Sequence, residues 1–459
     1  MSFADFLTKF DAVLWGAPLM ILLLGAGIIL SIRTHFVQSK HFGYILKNTL
    51  GKMFAKSEVE DGAISPFQAL STALAATVGT GNIVGVSVAI LGGGPGAIFW
   101  MWVAAFFGMA TKFSEVNLSI AYRIKTEDGY AGGPMYYIDR GLKKPWLGKC
   151  FALLAAIATF GIGCSVQSNA IAGTLNSSFN VSATVTGIVV TVLAAIVVIG
   201  GIKSIARVTE KLVPFMAAFY IIGGLIIIIG NIGNLPGAIR DIFVGAFNPA
   251  AVGGGALGYT IMVAMRNGIS RGVFTNEAGL GSSPIAHASA STDHPTRQGM
   301  WGVTEVFLDT FVVCTITALV ILTSGVLDLG ETDASALVAT AFSLHFSFGR
   351  YIVSIGLMLF AFSTILGWEF YGETSARYLL GKKISIPYKI VFLIMVFVGS
   401  TMNLDLAWTV ANILNGLMAI PNLIGLIGLS GVVVALQKDF FRDDRLRKSP
   451  EEYSHIVKR

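Results

Sequence analysis

Charge is what this sequence has least of. Asp, Glu, Lys and Arg together make up 13% of its 459 residues, against roughly 25% in soluble domains, which excludes an aqueous globule. Cysteine is nearly absent as well. Cys150, Cys164 and Cys314 stand in apolar segments without paired spacing, so buried free thiols are expected rather than a disulfide framework. Histidine pairs of the kind that hold a metal are missing. So is any small-residue cleavage site after the first apolar run, and that run is expected to stay in the mature protein. The net charge of +6 does not call for nucleic acid, because basic loops on a membrane protein account for it.

What fills the chain is apolar sequence: 54% of residues are hydrophobic, and the mean hydropathy is +0.73. Windows without a charged side chain recur at 12–32, 63–111, 150–202, 212–239, 242–265, 310–327, 351–368, 390–404 and 406–437. One helical crossing needs about 20 apolar residues, so the two longest windows are expected to hold more than one. The turn-forming stretches "GGGPG" (92–96) and "NSSFNVSATVTG" (176–187) divide them. The expectation is an all-α integral membrane protein with eleven transmembrane helices, near 12–32, 66–90, 96–121, 150–175, 185–202, 212–230, 255–286, 300–324, 350–376, 388–403 and 406–435.

Lys and Arg alternate from loop to loop. The loop after the first helix holds Arg33, Lys40, Lys47, Lys52 and Lys56. Arg123, Lys149, Lys203, Lys211, Arg297, Lys382 and the tail from Lys438 fall on the same side, while Asp328, Glu331, Asp333 and Asp405 mark the other. The bias of basic residues toward the cytoplasm puts the N-terminus outside and the C-terminus inside, in the plasma membrane.

With the first helix and its loop (1–62) set aside, ten crossings form two sets of five of opposite orientation, 63–235 and 236–437, before a cytoplasmic tail, 438–459. The first helix of each set is interrupted, one by "VGTGN" (78–82), the other within "RNGISRGVFTNEAGLGSS" (266–283). Matched glycine-rich breaks point to a transporter built from inverted repeats. Counting ~14 residues in from each face, at 1.5 Å per residue, puts Val78 and Asn267 near the midplane. The second break is therefore expected at 267–274, including Gly268, and not at "GLGS" (279–282). Unwound backbone bares N–H groups that suit a carboxylate and C=O groups that suit a cation. A zwitterionic amino acid with a sodium ion uses both, and the Asn82 amide can serve either.

Four long strings carry a family resemblance: "ALAATVGTGNIVG" (73–85), "GGPGAIFWMWVAAFFG" (93–108), "RGVFTNEAGLGSSPIAHA" (271–288) and "EVFLDTFVVCTITALVIL" (305–322). From about Trp15 to the end of the last helix the chain resembles the alanine/glycine:cation symporter family. The resemblance implies a five-plus-five inverted repeat like that of the sodium-coupled leucine transporter, one extra N-terminal helix, and sodium-driven uptake of alanine or glycine by a functional monomer. It implies a sodium site formed by the carbonyls of Ala75 and Val78 with the hydroxyls of Ser363 and Thr364; hard cations prefer such oxygen donors. Gly79, Thr80, Gly81 and Asn82 would then receive the substrate carboxylate, with Thr77 and, at the second break, Gly268 also in contact with substrate.

Gln167 is expected to hydrogen-bond substrate or to join helices, and Trp368 and Phe274 to limit the pocket to a methyl-sized side chain. Asp309 is a candidate second cation or proton site, against a structural network of Glu305 and Asp309 with Arg266, Arg271 and Glu277. Lys112, Glu115, Glu369 and Glu373 are expected in gate or interface pairs, and His287 and His294 in solvent. An enzyme is not expected, since "GSS" (281–283) beside His287 has no triad or oxyanion context. Proton coupling through Asp309 is the alternative within the transporter class.

Overall fold

The computed structural model describes residues 3–53, 55, 59–248, 260–402, 405–442 and 450–457. The expected start of the seventh helix, 255–259, and Lys56 lie outside these. The regular structure of the described residues is helical apart from one short antiparallel hairpin, Ile124–Thr126 with Gly129–Ala131, and a single parallel bridge between Ile64 and Ala290. Its longer helices are α1 (Phe3–Arg33), α2 (Pro66–Thr77), α3 (Thr80–Gly93), α4 (Gly96–Ala121), α5 (Pro145–Phe179) and α6 (Ala183–Val198). There follow α7 (Gly201–Gly230), α8 (Leu235–Phe247), α9 (Ile261–Asn276), α10 (Pro295–Thr323), α11 (Ala334–Ser343), α12 (Gly349–Leu380), α13 (Lys382–Thr401), α14 (Trp408–Gly428) and α15 (Ser430–Arg442). Among the described residues, 8 helices are long and apolar enough to cross a membrane, and 9 spans result if α2 and α3 form one.

The start of α2 is written in its sequence. The Ser65 hydroxyl accepts from the Gln68 amide and the Gln68 side chain accepts from the Ser65 amide, a reciprocal cap followed by Pro66 at the first helical position. The helix ends after Thr77, where Val78 turns out (ψ 88°) and Gly79 is extended. The chain resumes as α3, bent from α2 by 63°. Against α12, α2 packs through its smallest residues. A Cβ on Gly367 would sit 2.7 Å from that of Ala76, and one on Gly79 would sit 2.6 Å from the Thr364 hydroxyl oxygen.

The second interruption lies at 277–283, not at 267–274. Helix α9 runs unbroken to Asn276. Glu277 then takes a left-handed conformation (φ 54°), Gly279 and Gly281 follow at φ +92° and +84°, and one turn resumes at Pro284–His287. The polar residues expected to open the helix instead hold it shut. Asn267 Nδ2 donates to Gly92 O (3.1 Å) and Val263 O (3.0 Å). Gly268 is a contact residue: a Cβ there would meet Ala97 O at 2.1 Å.

Two spans contain π-helical stretches, Thr159–Ser165 in α5 and Phe307–Cys314 in α10; such insertions re-aim side chains and cluster at functional sites. Two expectations of burial are reversed. Cys150 is exposed because it shares the outward face of α5 with exposed Leu153 and Ile157. His287 and His294 are buried, His287 between Glu305 and Gln298, and His294 accepting the Thr296 amide at the start of α10.

Candidate functional site

The α2–α3 break opens on a cavity of about 20 Å³, room for one water-sized group. Ala76, Thr77, Gly79, Thr80 and Gly81 line it from the break, Ile162 and Gln167 from α5, and Phe274 and Glu277 from the end of α9. Thr364 and Trp368 come from α12, and Asn415 from α14. Gly268 is not among them, for the reason given above. Asn82 lies just behind the wall.

Its polar groups divide by sense. On the break side, the Gly79 amide donates to Asn82 Oδ1 (2.9 Å), while the Thr80 and Gly81 amides find no acceptor among the described residues. On the α5 and α14 side, Gln167 Oε1 and Asn415 Oδ1 are buried acceptors without a donor among the described residues. Gln167 Nε2 is occupied by Ile162 O at 3.1 Å, in the π stretch of α5. Glu277 accepts from Trp368 Nε1 (3.1 Å) and from the Ser282 hydroxyl.

Beside the cavity, the turn of Gly79 N toward Asn82 leaves Ala75 O without its helical donor. The Ser363 hydroxyl donates to it at 3.1 Å. Ser363 and Thr364 each also donate to Phe360 O at 2.9 Å, and both keep oxygen lone pairs for a cation. Val78 closes the last turn of α2, donating to Leu74 O (2.8 Å).

Asp309 reaches the break through Asn82, whose Nδ2 donates to Asp309 Oδ1 at 2.6 Å. The Thr310 hydroxyl donates to Asp309 Oδ2 (2.9 Å), and Asn276 Nδ2 to Thr310 (3.1 Å). The expected network of Glu305 and Asp309 with Arg266, Arg271 and Glu277 does not form among the described residues. Glu305 instead pairs with Lys112 (3.3 Å) and His287 (2.9 Å), and Arg266 donates to Ala12 O (2.9 Å). Asp309 lies inside the π stretch of α10 and meets Asn82, while Glu305, in the α-helical turn before that stretch, meets Lys112 on α4.

Buried charges also hold the second interruption. Lys112 Nζ donates to Ser283 (2.5 Å). Glu115 accepts from the Gly279 amide (3.1 Å) and from Asn422 Nδ2 (2.6 Å), which also donates to Gly279 O (2.8 Å). Nearer the helix end, Glu373 meets Lys389 at 3.4 Å, while neither oxygen of buried Glu369 has a donor among the described residues. The sequence reading missed Ala76, Ile162 and Asn415, and it assigned Glu277 to the wrong partners.

A bundle of apolar spans around one polar cavity at a helix break is the architecture of a secondary transporter. The family model described as "Sodium:alanine symporter family" matches residues 1–454, and the chain belongs to that family of sodium-coupled amino-acid symporters, which are not enzymes. It is 49% identical to the sodium/alanine symporter AgcS of Methanococcus maripaludis, over 96% of this chain and 98% of that one. It is 46% identical to an "Uncharacterized transporter" of Haemophilus influenzae over 100% of both. It is also 37% identical to the Bacillus subtilis protein named "Probable sodium/glutamine symporter GlnT", over 97% of this chain and 92% of that one.

Proposed function

We propose that this protein takes up alanine or glycine together with sodium by alternating access, acting as a monomer in the plasma membrane. The nine spans, with the shorter helices α6 and α9, follow the order of the eleven expected segments. That supports one leading helix (1–62) and two inverted sets of five, 63–235 and 236–437, with the N-terminus outside and the tail 438–459 inside. The observation that carries the reading is the division of the cavity: unpaired amides at Thr80 and Gly81 oppose unpaired oxygens on Gln167 and Asn415. When the bundle opens this cavity beyond its present one-water volume, a zwitterion satisfies both sides at once, its carboxylate on the amides.

Sodium in this reading is cargo, held by the carbonyls of Ala75 and Val78 and the hydroxyls of Ser363 and Thr364. Phe274 and Trp368 wall off the side-chain end and favour a methyl group or hydrogen over a glutamine-sized chain. Asp309, one hydrogen bond from Asn82, serves as a second cation site, with proton coupling as the alternative.

One charge crossing ~100 mV supplies about 2.3 kcal/mol, and a tenfold sodium gradient about 1.4 kcal/mol. Together they support roughly 500-fold accumulation at one sodium per substrate. Purified protein in proteoliposomes is expected to concentrate alanine under an inward sodium gradient; uptake indifferent to sodium overturns the proposal. Thr364→Ala is expected to raise the half-saturating sodium concentration by roughly tenfold or more, with Asp309→Asn still sodium-dependent. The reverse pattern, with acid-stimulated uptake, favours the proton.

A further inference from the structure

We infer that the Glu277 carboxylate is the fixed counter-charge for the ammonium group of the cargo, and so restricts the site to molecules bearing a cationic amine beside their carboxylate. This rests on the amino-acid transport proposed above and assigns the residue that reads the amine.

Glu277 is the one charged residue lining the cavity among those described. Its position runs against local preference twice. It is a non-glycine residue in the left-handed region (φ 54°), and it follows the C-terminus of α9, the negative end of the helix dipole, which disfavours a carboxylate. Conformations of this kind persist where function holds them.

Trp368 Nε1 donates to one oxygen and the Ser282 hydroxyl bonds to the other, an arrangement that satisfies an ionised carboxylate, which only accepts, once a cation stands opposite it. Among the described residues no Lys, Arg or His lies within ion-pair distance of it, and the nearby Lys112 is paired with Glu305. A buried anion without a partner is costly, and here it faces a cavity into which a cation can come.

What surrounds it has the same sense. Gln167 Oε1 and Asn415 Oδ1, both unpaired acceptors, line the same cavity, and the last carbonyls of α9 precede it. The unpaired donors, the amides of Thr80 and Gly81, lie at the break. A zwitterion is thereby oriented, with its carboxylate at the break and its ammonium toward Glu277. With sodium aboard, the cation and Glu277 cancel and the loaded site is neutral, which suits passage through a low-dielectric interior.

The test compares L-alanine with L-lactate, which replaces the ammonium by a hydroxyl, as competitors of labelled alanine in sodium-loaded binding assays. The unaltered protein is expected to prefer alanine by about 100-fold; parity between the two overturns the inference without any variant. Glu277→Gln is expected to weaken alanine by about 30-fold while lactate changes less than about threefold. Glu277→Asp, which keeps the charge, is expected to recover most of the preference. If Glu277 only props Trp368, alanine and lactate weaken together in Glu277→Gln and their ratio stands, which overturns the assignment. A wild-type protein that binds no alanine in sodium overturns the transport reading itself, a different outcome from an unchanged ratio.

Discussion

Gly79→Ala is expected to cut sodium-driven uptake by roughly 100-fold, a loss of about 2.7 kcal/mol at the transport step, while the protein still folds. The backbone at Gly79 is extended (φ −131°, ψ −154°), a region open to alanine, so strain in the chain is not the cause. The new methyl carbon would lie 2.6 Å from the Thr364 hydroxyl oxygen. One of the two must give way. Either Thr364 leaves the rotamer in which it donates to Phe360 O (2.9 Å), or the break moves off α12. Both outcomes separate the α2 carbonyls from the α12 hydroxyls that the proposed sodium site needs together. Uptake assays beside a thermal melt in detergent separate this from misfolding. Activity close to wild type would mean that Thr364 has no part at the break.

Lys112→Met is expected to destabilise the protein by about 3 kcal/mol, the low end of the cost of breaking a buried ion pair, because Glu305 keeps His287 beside it. Lys112 and Glu305 are both fully buried, 3.3 Å apart. The lysine also donates to Ser283, so its loss frees one side of the second interruption as well. Adding Glu305→Gln removes the stranded charge and should recover most of the stability, because a neutral pair of similar size is cheap to bury. The double-mutant cycle is read from melting curves under identical detergent and sodium conditions. A single variant as stable as wild type, with no coupling in the cycle, would show that the two residues do not act as an ion pair.

The first interruption is legible because a charge-free helix meets glycine, threonine and asparagine in its middle, and nothing else in that window explains them. The second was misplaced by a depth count. That count began near residue 255, whereas α9 starts at Ile261; the same ~14 residues from there end at Thr275, beside the true opening. Asn267 and Gly268 misled because polarity and a missing side chain are also what a tight crossing with α4 requires. No pattern along the chain reports the π stretches, since an inserted residue leaves composition unchanged. Yet the one in α10 contains Asp309, which meets Asn82. Asn415 carries no local signal either. It reaches the cavity only through the packing of α14.

The contact between α2 and α12, made of Ala75, Ala76 and Gly79 against Ser363, Thr364 and Gly367, has little to interlock. Residues this small let backbones approach closely and offer few knobs for holes. A sodium ion shared across that seam, as proposed above, would act as a bolt: drawn, it would let the halves slide; shot, it would keep them in register. The substrate's driving ion would thus also be the part that decides when the machine is free to move.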